Sequence, residues 1–152
     1  AKASTNIIST GAYTMVLCAK INTAASAAGL FGNIAAGAGA MMWQGTGTLR
    51  SVFHPGVAEM LADPILTGGL EIWTVRRTTT PMLYVGGKPR DMTGTSASLV
   101  TPGGSGILTV GGATTVAGYS QCDITFALMV DREITSAEQS LLEYYLRMRY
   151  AI

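Results

Sequence analysis

The closing stretch of this chain narrows its folding options more than any other. Cys122 to Val130 is an apolar, strand-like run, and Asp131-Arg132-Glu133-Ile134 breaks it. Thr135 then stands where a helix would be capped, with Glu138 three positions on to complete a capping box. Leu141, Leu142, Tyr145, Leu146 and Arg149 follow at helical spacing, so the sequence predicts one helix over about 135–150. Arg147 and Arg149 complement the negative end of its dipole. The link from the preceding strand is short, so the helix is expected to dock on its own sheet, at an edge or an end.

The segments before that helix with a clear pattern read as β-strands joined by turns. Tyr13 to Ile21 is apolar on both faces in its middle, the pattern of a central strand. Gly29 to Gly32 and Ala40 to Trp43 read as short strands inside an alanine- and glycine-rich stretch. Thr48 to His54 alternates and stops at Pro55-Gly56. Gly69 to Arg77 is another strand, and Pro81 to Val85 follows, closed by Gly86-Gly87 as a hairpin turn. Ser105 to Gly112 ends on the same paired-glycine stop. Close-set strands with turn chemistry between them favour an antiparallel sandwich or barrel, and no repeat period suggests a solenoid or propeller.

Length and composition set the outer bounds. At 152 residues the chain reads as a single domain, 1–152, with room for a sizeable core. Charged residues make up 12%, about half the usual share, against 48% apolar. So little charge suits a protein that covers its surface with neighbours such as copies of itself. A net charge of +1 gives no basic stripe for nucleic acid. No run is long enough to span a lipid bilayer, and Ala24 to Met42 lacks the positive face of a membrane-surface helix. Cys18 and Cys122 are too few for a disulfide framework and read as two buried thiols, with their pairing left open. The opening Ala1-Lys2-Ala3-Ser4-Thr5 has no start methionine, so a domain cut from a longer chain is expected.

The run Ala127-Leu128-Met129-Val130-Asp131-Arg132-Glu133-Ile134-Thr135-Ser136-Ala137-Glu138, followed by Leu142, Tyr145 and Leu146, resembles the closing signature of concanavalin-A-like lectin/glucanase domains. That family includes laminin-G-like and pentraxin-like modules. Leu70 to Arg77 is similar to its central strand, Met82 to Gly87 to its hairpin, and Ile107 to Gly112 to the strand that follows. The resemblance implies an all-β fold: an antiparallel jelly-roll β-sandwich with one C-terminal α-helix. Such modules are common on bacteriophage tail fibres and other virion appendages, and on secreted or cell-surface bacterial proteins. Fold alone does not set function.

This chain also departs from that family. Glucanase members carry a Glu-x-Asp-x-x-Glu strand whose carboxylates act as nucleophile and acid. Here the nine acids are scattered, and Glu71 has no acidic partner two or four residues on. Calcium-binding members use clustered Asp and Asn, whereas Asp91 and Asp123 have no such neighbours. His54 is the single histidine, which excludes a multi-histidine metal site. The paired glycines are turns, since none precedes a helix with the lysine and hydroxyl of a phosphate loop.

The remaining candidates are ligand contacts. Trp43, Trp73, Tyr84 and Tyr119 have flat faces on which a sugar can stack, with Trp73 assigned instead to the core. Lys88-Pro89-Arg90-Asp91 reads as a polar loop tip, and Arg76 and Arg77 should point to opposite faces of their strand. The expected function is non-enzymatic recognition of a host cell-surface glycan by a phage tail module. Shallow loops presenting Trp43, Arg50, His54, Tyr84, Lys88 and Arg90 would make the contacts, with no metal or cofactor. The expected partners are the glycan and copies of the chain or other virion proteins, without nucleic acid or membrane insertion. The alternative is a capsid or tail decoration domain that assembles without a glycan ligand.

Overall fold

A computed structural model describes residues 12–23, 28–35, 38–44, 49–54, 58–65, 67–93, 107–111 and 121–152. In chain order the strands are β1 (Tyr13–Thr23), β2 (Ala28–Ala35), β3 (Ala38–Gln44), β4 (Leu49–His54) and β5 (Ala58–Pro64). They continue with β6 (Leu70–Arg77), β7 (Pro81–Val85), β8 (Lys88–Arg90), β9 (Ile107–Val110) and β10 (Gln121–Val130), and helix α1 (Ser136–Tyr150) closes the chain. One antiparallel sheet has the order β10-β1-β6-β7-β8 and the other β5-β4-β3-β2-β9. The architecture is a jelly-roll β-sandwich with one C-terminal helix.

Alternation along the strands decides what each face covers. Tyr13, Met15, Leu17, Ala19 and Ile21 of β1 point between the sheets, joined there by Trp73, Val75, Leu83 and Val85. Leu30, Phe31, Ala40 and Met42 meet them from the second sheet. Trp73 is 1% exposed, as its position in an apolar strand predicts. Two amides share this buried environment: Asn33 and Gln44. Asn33 Nδ2 and both amide atoms of Gln44 lack a hydrogen-bond partner.

The other set of β1 residues, Val16 and Cys18, is equally buried, and this dictates a third layer. With Ile72 they form an apolar patch on the outside of the first sheet, closed by Leu146 and by half-buried Leu142, Tyr150, Phe126 and Leu128. The helix therefore lies across the sheet's outer face and not at an edge or end, because a strand apolar on both sides needs cover on both. Its docking face also differs in part from the expected one. Gln139, Glu143 and Leu146 are buried, whereas Leu141 and Tyr145 are exposed. The buried polar pair is satisfied by the sheet, so hydrogen bonding and hydrocarbon packing together set the helix's rotation.

The capping box forms as read: the Thr135 hydroxyl accepts from Glu138 N, and Glu138 Oε2 accepts from Thr135 N at 2.7 Å. Thr14 Oγ1 pins the approach, accepting from Ile134 N and donating to the Arg132 carbonyl, both at 2.9 Å. Two readings change, and one strand is added. Lys88 to Arg90 is not a loop tip but a short edge strand paired with β7, where Pro89 is tolerated. Ala58 to Pro64, built of residues that favour helices, is a strand because β4 offers it an edge. β2 and β3 extend beyond the short segments anticipated and pair with each other. Gly103, Gly104, Gly112 and Tyr119 lie outside the described residues.

Candidate functional site

The pairing of β6 with β7 ends at Trp73 and Val85, so Leu70, Glu71 and Ile72 run on past the hairpin. One further bond, Gly86 N to the Ile72 carbonyl at 2.9 Å, joins the two before the turn leads away. Gly86 and Gly87 make that turn with φ of 57° and 80°, conformations suited to glycine. The mismatch in length leaves a notch at the sheet margin beside the last turn of α1. It forms a cleft of about 430 Å³. Its apolar lining is Leu70, Ile72, Val85 and Ile152, and its charged lining is Glu71, Lys88, Arg90 and Arg147.

The helix and the hairpin hold each other in register here. Arg147 Nη2 donates to the Gly86 carbonyl at 3.1 Å. Glu143 Oε1 accepts from Thr74 Oγ1 at 3.1 Å and from Gln139 Nε2 at 2.8 Å, fixing that buried carboxylate over β6. A Cβ on Gly87 would lie 2.7 Å from Glu143 Oε2, so the turn passes too close to the helix for a side chain. On the other side of the notch, Glu71 Oε2 accepts from Trp73 Nε1 at 3.2 Å.

Of the expected contact residues, the structure brings Lys88 and Arg90 into this cleft. They stand opposite Val85 and Leu83 in the β7–β8 pair, on one side of the ribbon, with Pro89 opposite Tyr84. Tyr84 serves the helix mount instead. The Arg76 guanidinium lies 5.5 Å from its ring centroid and donates to Ser136 Oγ, Gln139 Oε1 and Glu133 Oε1. Arg77, on the opposite face as expected, lies 5.7 Å from the Tyr13 ring. Trp43, Arg50 and His54 belong to β3 and β4 of the second sheet, with backbone partners Ser51, Gln44 and Ala58. Their side chains lie outside the described set. All six positions fall on strands, not on loops, because sheet pairing reaches further than the turn signals suggested.

Sequence reasoning missed Arg147 and Glu71 as cleft residues. Arg147 was legible only as a dipole partner, and no local signal links a terminal helix turn to a strand so far back in the chain. Chemically, the cleft combines three cationic side chains from two elements with one acidic side chain and an apolar wall. Among the described residues, neither a second acidic side chain nor a tyrosine side chain lines it. The described residues also contain no group of three His, Cys, Asp or Glu placed to hold a metal ion. Cys18 is buried and Cys122 half-buried, and both are free. Burial pushes both thiols up, more than the Thr125 hydroxyl lowers Cys18, and with Asp123 adding to the rise at Cys122. Neither is an activated nucleophile. No described helix is long and apolar enough to cross a membrane.

No family model and no curated protein matches the chain in sequence. Solved structures do match. The sialidase of Trypanosoma rangeli, as its covalent intermediate with 2,3-difluorosialic acid, superposes with a TM-score of 0.66 at 14% identity, over 87% of this chain and 22% of that chain. A second structure of the same enzyme gives 0.67 at 15% identity, again over 87% and 22%. Its complex with sialic acid gives 0.62 at 13% identity with the same coverage. What is shared is the fold. The chain spans less than a quarter of the length of those proteins.

Proposed function

We propose that this chain is a non-enzymatic glycan-recognition module whose saccharide sits in the notch between β6, the β7–β8 hairpin and the end of α1. The observation that carries the reading is the convergence of Lys88, Arg90 and Arg147 beside an apolar wall in one open cleft. Guanidinium forks suit paired oxygens on a sugar or its acid group, and an apolar wall accepts the C–H face of a ring. Cationic side chains outnumber the one acidic side chain, Glu71, which favours a saccharide bearing carboxylate, sulfate or phosphate groups. The fold shared with that sialidase, one structure of which is in complex with sialic acid, supports a carbohydrate ligand. A phage tail or other virion appendage facing a host-surface glycan is the setting that the sequence resemblance supports. Several weak sites on an oligomer would there gain strength through avidity.

The test is a glycan array containing acidic and neutral oligosaccharides, probed with the protein in multimeric form. Selective capture by acidic sugars, weakened by added salt and lost in Lys88→Ala, is the expected result. Lys88 is exposed, so its removal leaves the fold intact. Silence across the array, or binding indifferent to Lys88→Ala and Arg90→Ala alike, would defeat the reading. The second reading, an assembly or decoration module without a glycan ligand, is favoured by one observation: large apolar side chains stand exposed on α1.

A further inference from the structure

We propose that α1 pairs with α1 of a second copy of this chain, antiparallel about a two-fold axis, through the face it turns away from its own sheet. Four large apolar side chains are exposed there: Leu141 at 71%, Tyr144 at 63%, Tyr145 at 50% and Met148 at 68%. Their spacing of i, i+3, i+4 and i+7 gathers them into one stripe. Gln139, Glu143 and Leu146, the buried residues, lie on the opposite side of the helix. The helix thus carries large apolar side chains on both of its faces. The inner face sets Leu142 and Leu146 on the sheet beside a carboxylate and an amide that the sheet hydrogen-bonds, and the outer face carries a second apolar stripe. An exposed apolar patch of this kind marks an interaction site.

The stripe is its own complement, which points to a second copy as the occupant. Its four positions are symmetric about the midpoint between Tyr144 and Tyr145. A second helix run antiparallel therefore sets Leu141 against Met148 and Tyr144 against Tyr145, each pair occurring twice, as an isologous interface requires. Leu and Met fill similar volumes, and tyrosine rings pack well when offset. Antiparallel helices also oppose their dipoles, and Arg149 of one copy approaches the Glu138 end of the other. At roughly 150–250 Å² per large side chain, scaled by these exposures, the stripe supplies about 500 Å² per copy. The pair would bury about 1,000 Å², the threshold for a specific interface. The 12% share of charged residues is in keeping with a chain that meets its own copies.

Sedimentation equilibrium on the whole chain tests this. A reversible dimer is expected. Leu141→Lys or Tyr144→Glu should weaken it by roughly thirtyfold or more, with an unchanged far-UV spectrum and melting curve for the monomer. Geometry is tested by oxidising a Leu141→Cys/Met148→Cys double variant in a Cys122→Ser background. It should cross-link as a dimer, and neither single variant should. A monomer at high concentration would overturn the proposal, as would a dimer indifferent to Leu141→Lys and Tyr144→Glu. Single variants cross-linking as readily as the double would also overturn it, by showing a different pairing.

Discussion

Gly86 and Gly87 show how one residue's missing side chain sets both a turn and a contact. Both adopt positive φ, and a Cβ at either would meet the helix, at Arg147 Nη2 or at Glu143 Oε2. The Gly87→Ala variant is expected to lose about 1–2 kcal/mol, combining backbone strain with displacement of a buried, hydrogen-bonded carboxylate. Chemical denaturation with an unchanged m-value would check this. The paired glycines were readable in the sequence as a hairpin stop, but their second duty was not, because it depends on a helix far along the chain. Gln44 makes the converse case. It is fully buried with neither amide atom partnered, so Gln44→Met should stabilise the fold by about 1 kcal/mol. A fall in the midpoint of unfolding would contradict that.

At the scale of elements, α1 was the most legible piece of the chain, since its start is written locally in Thr135 and Glu138. Removing the cap with Thr135→Ala should cost about 1 kcal/mol, lowering the melting temperature by about 3 °C in a domain of this size. Glu138 adds a pH dependence. Hydrogen bonding to Arg132, then to the Thr135 backbone, holds its carboxyl down to about 2 from the ordinary 4.5. A carboxylate held low stabilises the fold above its ordinary pKa and loses that contribution as pH falls through the shifted one. The helix should therefore weaken between about pH 4.5 and pH 2. In Glu138→Gln, melting followed by circular dichroism should show a shallower slope across that window. Which side of the helix docks was legible in part, since Leu142 and Leu146 of the expected face do pack on the sheet. Leu141 and Tyr145 have the right spacing for a buried face, yet Glu143 and Gln139 take it because Thr74 and Arg76 satisfy them.

The whole molecule has three layers: the second sheet, the first sheet and the helix. Cys18 lies beneath the helix on the outer face of the first sheet, while Cys122 lines the space between the sheets. The two thiols therefore report different events. A thiol reagent should modify half-buried Cys122 first, and Cys18 only as fast as the helix lifts away. Mass spectrometry of partly labelled protein resolves the order. Equal rates would mean that the helix is not a separate layer in solution. The cleft also belongs to this scale. Lys88 and Arg90 were legible as a polar segment following a hairpin, but Arg147 joins them only once the helix crosses the sheet.

Patterns a few residues long carried the β character, the hairpin at Gly86-Gly87, the central place of β1 and the start of α1. Each rests on local physics: alternation, the dihedral freedom of glycine, or a side chain bonding to a backbone three residues away. Tertiary structure alone decided that Lys88 to Arg90 and Ala58 to Pro64 are strands, how α1 is rotated on its sheet, and which cations share a notch. Those outcomes depend on partners distant in the chain. Edge pairing overrides local propensity, and a buried carboxylate is tolerated only where another element supplies its hydrogen bonds.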